Sequence, residues 1–427
     1  MGGSPQFDVL VVGGGPAGSA CAYWLAEAGW DVALVEKKVF PREKTCGDGL
    51  TPRAVRQLAD MGLESALASS HRYRGLRAYG FGRAIELLWP DHPSFPNYGY
   101  TITRHDLDGL VNERAQKAGA TVWQDTEAVE PIIAERMAAT EGGLVPCVGA
   151  VVRDGASGDV REVRARYVVV ADGSNSRFGR ALGAARDRRR PLGMALRGYY
   201  RSPGHDDEFI ESHLDIRDDQ GAVVPGYGWI FPLGDGRVNV GVGLLSTERR
   251  WRGVNTSTLM DHFVRGAPAH WELSPETACS PPTGGKLPMG LAVGPRVGPT
   301  TLVVGDAGGT INPFNGEGIA YGYETGRLAA AALGDALAGA GPAALVDYER
   351  RLEEAYGPYF RVARAFVRLI SRPDVMRVSV GTGLRSEPVM IWMLRIMANL
   401  LRPDETGPAE AAYRLLATVA RLVPDSA

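Results

Sequence analysis

At 427 residues the chain is too long for one compact core, and two or three domains are expected. A hydrophobic content of 44%, a charged content of 22% and a net charge of −2 describe an ordinary globular protein and speak against a nucleic-acid partner. Four cysteines with no CxxC pair fit a reduced compartment, and seven histidines with no i, i+4 pair or Cys/His cluster speak against a metal site.

The opening MGGSPQFD lacks a basic stretch followed by an apolar one and predicts no signal peptide. Asp8 to Glu36 is the segment that the rest of the chain serves. Val9 to Val12 reads as a strand buried on both faces. Gly13, Gly15 and Gly18 then form GxGxxG, with Ala17 inside it: a tight turn, a close approach for a pyrophosphate, and a close helix–strand contact. The helix predicted from Pro16 aims free N–H groups and the positive end of its dipole at the phosphates. A second strand, Val32 to Val35, ends in Glu36, whose carboxylate can accept hydrogen bonds from a ribose. A lone GxGxxG is a weak signal in a chain with 55 glycines. Strand, helix and acidic strand end in register make it a dinucleotide site, without choosing between FAD and NAD.

Glycine, proline and charge then mark a loop, VFPREKTCGDGLTPRAV, in which Thr51 and Pro52 open a helix. Residues 72–103 read as strands crossing to a second domain, and Arg104 to Ala118 as a helix. Residues 120–171 read as strands and turns ending in the apolar run Tyr167 to Ala171. Asp172-Gly173 follows, either a ligand site at a strand end or a turn in which Ser174 or Asn175 caps a helix. Residues 190–290 alternate in short aromatic-rich segments, the pattern of an antiparallel sheet. Thr301 to Val304 returns to the first domain, a helix runs through Leu333, and the chain is helical from about residue 345. The expected domains are a discontinuous nucleotide domain (1–72, 104–189, 290–345), a sheet domain (73–103, 190–289) and a helical region (346–427).

No apolar run reaches the roughly 18–20 residues that span a bilayer. The nearest, Val389 to Leu401, has 13 and is interrupted by Arg395. The tail from residue 356 holds ten arginines, no lysine and six acids, +4 against −6 for the remainder. Within Val389 to Arg402, Arg395, Asn399 and Arg402 are expected to form one polar stripe on an apolar helix, beside the adaptable Met390, Met393 and Met397. Such a helix lies in a membrane interface or closes a core; both stay open. The expected location is cytoplasmic, either free or peripheral on the inner face of the cell membrane.

Two more loops carry chemistry. Cys46-Gly47-Asp48-Gly49 lets backbone contact a flat ring or a phosphate, or is a plain turn around a buried thiol. Gly305-Asp306 and Pro313 to Ile319 follow a buried strand; Asp306 can accept a hydroxyl, and the Gly316–Gly318 turn opens a helix whose amides can face an electron-rich ring edge. Together these sites resemble FAD-dependent oxidoreductases of the p-hydroxybenzoate hydroxylase type, over most of residues 8–345. The resemblance implies an α/β fold: a Rossmann-like FAD-binding domain, an inserted antiparallel-sheet substrate domain and a C-terminal helical region. It implies FAD, with Gly13, Gly15, Ala17 and Gly18 at the phosphates and Glu36 on the ribose. It places Ala128 at the adenine side, Arg104 on the cofactor, Cys46, Gly47 and Gly49 near the isoalloxazine, Asp306 on the ribityl–pyrophosphate side, and Gly318 and Ile319 at the turn that faces the ring. Arg104 could otherwise be a surface arginine at a helix cap.

Tyr227-Gly-Trp229-Ile-Phe231-Pro232, followed after eight residues by Gly241-Val-Gly243, resembles the YxWxFP…GxG signature of the geranylgeranyl reductase family. A strand puts Tyr227, Trp229 and Phe231 on one face, a flat wall suited to a long unsaturated chain or to packing a core. Phe40-Pro41-Arg42 and the Cys46 loop are also typical of that family, whose actinobacterial members hydrogenate the menaquinone side chain. The resemblance implies reduction of polyprenyl double bonds, with Cys46, Tyr227 and Trp229 as catalytic candidates and Tyr227, Trp229 and Phe231 on the substrate. The alternatives are an aromatic hydroxylase on the same scaffold and a non-catalytic prenyl-lipid carrier; position 227 is Tyr and 231 is Phe, unlike the WxWxIP of a flavin halogenase. With no second GxGxxG, the electron donor stays open among NAD(P)H, a ferredoxin and a quinol.

Overall fold

A computed structural model describes residues 6–134, 142–246, 253–402 and 405–422. Residues 1–5, most of the segment read as lacking a signal peptide, lie outside it. Val9 to Val12 is buried on both faces, its odd and even side chains entering two different apolar clusters. The Phe7–Val12 strand pairs in parallel with Val32–Val35 and with Val160–Val170. Thr121–Trp123 and Thr301–Val303 extend this parallel sheet on either side. The long Val160–Val170 strand pairs antiparallel over its first half with Cys147–Asp154, which in turn pairs with Thr126–Ile133. Helices Pro16–Glu27 and Ile319–Asp335 cover one face and pack tightly on each other. Their contact is close because an added Cβ at Gly326 would lie 2.4 Å from the Ala17 carbonyl oxygen.

The second large sheet orders Thr283–Pro288, Leu192–Arg201, Arg237–Leu245, Gly226–Pro232, Phe209–His213, Gly75–Gly80 and Arg83–Leu88. It departs from the expected antiparallel sheet at one place: Phe209–His213 and Gly75–Gly80 run parallel. The connection between them passes through the nucleotide domain, so no hairpin imposes antiparallel order. A helix that the strand reading of residues 190–290 overlooked, Thr256–Arg265, covers the sheet's back with Leu259, Met260, Phe263 and Val264. A small sheet of Gly49–Leu50, Gly99–Thr101 and His71–Tyr73 holds the segment after Cys46 in place.

Four helices, Ala343–Ile370, Pro373–Gly383, Glu387–Met397 and Pro408–Leu422, form the described C-terminal region. No helix among the described residues is long and apolar enough to cross a membrane. The expected polar stripe does not form, because the helix stops at Met397. Asn399 takes a left-handed φ of 54°, its N–H bonds the Ile396 carbonyl and that of Leu400 the Arg395 carbonyl. This is a Schellman stop with asparagine in the position that favours it. Arg395 pairs with Glu410 at 2.7 Å, Arg402 with Glu405 at 2.6 Å, and Asn399 donates to the Tyr321 hydroxyl. The two arginines are therefore tied to carboxylates and do not form a basic face.

Candidate functional site: glycine loops against an aromatic wall

The first corner has the geometry a phosphate cradle needs. Gly13 sits at φ +107°, and an added Cβ there would lie 2.4 Å from the Ala171 carbonyl oxygen; at Gly18 it would lie 1.9 Å from that of Gly13. At Gly15 the nearest atom is an Arg42 guanidinium nitrogen 3.9 Å away, so this glycine faces open ground. Ala17 is buried in the crossing of the two helices. Pro16 and Ala17 lie against Gly322, so the two helices begin side by side and their positive ends act on one region.

Glu36 is buried, accepting from Gly14 N–H at 2.9 Å and from Lys38 N–H at 3.1 Å, with Arg42 3.6 Å away. Ala128 stands on the strand whose Thr126 N–H bonds the Glu36 carbonyl. Arg104 is not a surface arginine: it is buried, and its guanidinium grips Asp108 at 2.6 and 2.7 Å. Thr103 caps its helix. Burial pushes the Asp306 carboxyl upward while Lys44 and Arg104 pull it down. At the end of Val160–Val170, Ser176, two residues beyond Ser174, caps the next helix. Asp172 accepts from Phe178 N–H through Oδ2, and its buried Oδ1 has no protein partner.

The Gly226–Pro232 strand brings the distant pieces together. Tyr227, Trp229 and Phe231 share a face and lie in sequence, with ring centroids 5.8 and 6.3 Å apart. An added Cβ at Gly47 would meet Phe231 at 3.2 Å and the Trp229 Nε1 at 3.4 Å, and one at Gly49 would meet Phe231 at 3.1 Å. At the other end the Tyr227 hydroxyl donates to the Asn315 carbonyl at 2.5 Å. One wall thus touches both loops expected to hold a flat ring. The GxG that follows is explained by register: Gly241 lies opposite Trp229 and Gly243 opposite Tyr227. The indole rests on Gly241 so closely that a Cβ would fall 2.1 Å from its ring.

Several members of this site were missed in the sequence. Asp48 is fully buried at φ +63°, accepting from Tyr199 Oη at 2.7 Å, Asn239 Nδ2 at 2.8 Å and Arg104 N–H at 3.2 Å. Burial pushes its carboxyl up to about 6, against the pull of these donors and of Arg197. Asn239 also donates to the Cys46 carbonyl and accepts from Trp229 Nε1, both at 2.9 Å. The wall and the Cys46 loop are therefore one hydrogen-bonded unit. Burial pushes the half-buried Cys46 thiol up, and Arg104 pulls it back. Asn239 was readable in principle, since a hairpin closed at residues 234–236 places it opposite Phe231.

Residues 6–196 match the FAD binding domain family. The menaquinone reductase of Mycobacterium tuberculosis H37Rv is 40% identical over 417 residues, 97% of each chain. The digeranylgeranylglycerophospholipid reductase 1 of Methanopyrus kandleri is 32% identical, covering 87% of this chain and 93% of that one. The chain belongs to the geranylgeranyl reductase family of FAD-dependent oxidoreductases. A geranylgeranyl bacteriochlorophyll reductase-like structure from Thermoplasma acidophilum shares the fold at TM-score 0.76 and 24% identity, over 97% of this chain and all of the other. A flavin-dependent brominase shares it at TM-score 0.71 and 18% identity, over 98% and 100%, so the scaffold by itself does not separate reduction from halogenation. The residues present suit the family's FAD. Gly15 leaves a bare approach, and Arg42 Nε and Asp172 Oδ1 beside this corner are buried without protein partners.

Proposed function

We propose that the chain is an FAD-dependent reductase that saturates carbon–carbon double bonds of a polyprenyl chain, with the isoprenoid side chain of menaquinone as substrate. The observation that carries the proposal is the wall of Tyr227, Trp229 and Phe231, set against both the Cys46 loop and the Asn315–Gly316 turn. In this reading Gly13, Gly15, Ala17, Gly18 and Glu36 hold the pyrophosphate and ribose, Ala128 meets the adenine side, and Arg104, Asp306, Gly318 and Ile319 complete the cofactor site. Bound and reduced, FAD supplies hydride.

An isolated trisubstituted alkene is a poor hydride acceptor, so a proton must be added at its less substituted carbon as the reduction proceeds. Positive charge then develops on the tertiary carbon, where the π faces of Tyr227 and Trp229 stabilise it and the closed apolar wall excludes water. Mass analysis of the side chain of a prenylated quinol after turnover tests the reading: a gain of two hydrogens in the side chain supports it, and a gain of one oxygen or halogen refutes it.

Cys46 is assigned to setting the position of the ring or assisting the proton. Cys46→Ser and Cys46→Ala should each lower single-turnover alkene reduction by more than they lower FAD content. Unchanged turnover in both variants removes the thiol from the mechanism.

For access to a membrane-dissolved substrate, the Pro408–Leu422 helix exposes Leu415, Leu416 and Val419. We assign the lipid contact to this helix, not to Arg395 and Arg402. Leu415→Asp with Val419→Asp should weaken co-sedimentation with anionic vesicles. Equal binding before and after assigns the helix to closing the fold.

A further inference from the structure

The mechanism above requires a proton, and most groups around the wall are unequal to supplying it: the Asp48 carboxyl, though pushed up to about 6, has Oδ1 taken by Arg104 N–H and Oδ2 by Tyr199 and Asn239. The Tyr227 hydroxyl donates to the Asn315 carbonyl, that of Tyr73 to the Leu50 carbonyl, and burial pushes both, and the Cys46 thiol, up, so that all three hold their protons tightly. One carboxyl stands apart. Glu317 lies between Gly316 and Gly318, in the turn that Tyr227 touches.

Its two oxygens are not equivalent. Oε1 accepts a hydrogen bond from the Thr51 hydroxyl, which itself accepts from Ala54 N–H. Oε2 is buried and accepts no hydrogen bond of ordinary length, although the Asn315 side chain lies near enough to the carboxyl to pull it down. A neutral Glu317 therefore carries its proton on Oε2, the oxygen without an ordinary hydrogen bond. Leaving a buried polar atom without a partner is unfavourable, and a ligand beside it can offset that cost.

The carboxyl also stands at a junction. Thr51 ties it to the loop containing Cys46. The charge of Glu317 reaches Tyr227 at one end of the wall. It also reaches Tyr73, in the apolar cluster of Phe231, Trp89 and Leu394.

We propose that Glu317 is the proton donor of the alkene reduction. The inference rests on the prenyl-reductase reading and adds a catalytic residue to it. The Oε2–H bond breaks as a C–H bond forms at the less substituted alkene carbon. Reduced FAD, when bound, would supply the hydride for the second C–H bond at the tertiary carbon, so that the alkene would gain two electrons and the cofactor lose them. The carboxylate left behind recovers its proton from solvent.

The electrostatics suit the task. The charged and titratable groups around Glu317 are Arg53, Glu324, Tyr73, Tyr227, Tyr321 and Tyr359. Burial outweighs Thr51, Arg53 and Asn315 and, helped by Glu324, pushes the carboxyl up to about 7. An acid poised near the working pH donates and recovers a proton with little loss either way. Because the donor must be protonated, alkene reduction should fall as pH rises through about 7.

The test uses FAD-loaded protein, pre-reduced anaerobically and mixed with a prenylated quinol, whose ring is already reduced and cannot accept the electrons. Glu317→Gln should keep its FAD content and its rate of chemical flavin reduction. It should lose about 10²-fold or more in single-turnover alkene reduction, with the pH dependence flattened, and Glu317→Asp should recover part of both. Infrared spectra without substrate should show a protonated carboxyl band that fades as pH passes about 7 in the wild type and is missing in Glu317→Gln. Wild-type rates in Glu317→Gln, or a loss of turnover matched by a loss of FAD, would overturn the proposal. Wild-type protein that leaves prenyl alkenes unreduced while showing the band would refute the functional reading instead.

Discussion

Gly18→Ala should lose most of its FAD and melt earlier, whereas Gly15→Ala should lose FAD affinity alone. The two glycines belong to one motif but meet different neighbours. A methyl group at Gly18 would fall 1.9 Å from the Gly13 carbonyl oxygen, backbone that cannot move without lifting the helix off its strand. Overpacking of this kind costs about 1–3 kcal/mol, and each 1.4 kcal/mol that falls on binding is tenfold in affinity. A methyl group at Gly15 meets nothing nearer than 3.9 Å, and Gly15 has a φ of −76° that alanine adopts freely. Its Cβ would enter only the space assigned to a phosphate. Flavin-to-protein ratios and thermal melts of the apoproteins separate the cases. A Gly15→Ala protein with full FAD affinity would remove the pyrophosphate from this corner.

The second large effect is expected at Gly241. A Cβ there would lie 2.1 Å from the Trp229 ring, so Gly241→Ala must turn the indole and break its bond to Asn239. Asn239 also holds Asp48 and the Cys46 carbonyl, so the disturbance reaches the loop assigned to the flavin. We expect a loss of about 1–3 kcal/mol in stability and a far larger relative loss of alkene reduction. Trp229→Leu should relieve the clash, so the double variant should be more stable than the sum of the two single changes predicts, yet remain inactive. Recovery of activity in the double variant would mean that the indole packs the sheet and does no more.

Local chemistry explains which parts of this molecule could be read from sequence. The Asp8–Glu36 corner depends on contacts within about 30 residues, and the strand, turn and helix specify it together. Tyr227, Trp229 and Phe231 follow the period of a strand, and Thr51 caps the helix that its position before Pro52 announces. Asp48 is different: its partners Tyr199 and Asn239 stand 151 and 191 residues away, and no local pattern marks a carboxylate for burial. Glu317 stood in a recognised motif, but its bond to Thr51 spans 266 residues and its role was invisible until the loops met. The helix end at Met397 was misread because hydropathy continues to Leu401 while Asn399 turns left-handed. The Thr256–Arg265 helix did carry a signal, Asn255 as its cap and apolar residues spaced i, i+1, i+4 and i+5, which the aromatic strands around it masked.

The central claim is that the aromatic wall presents a prenyl alkene to a reduced flavin. Anaerobic, stoichiometrically reduced holoprotein mixed with a prenylated menaquinone, with product mass read as flavin absorbance returns, tests it most directly. The account predicts oxidised flavin and a side chain heavier by two hydrogens in equal amounts, with the quinone ring itself excluded as the electron acceptor by starting from its reduced form. A reduced flavin spectrum that persists over bound lipid, or reoxidation with an unchanged side chain, would contradict it.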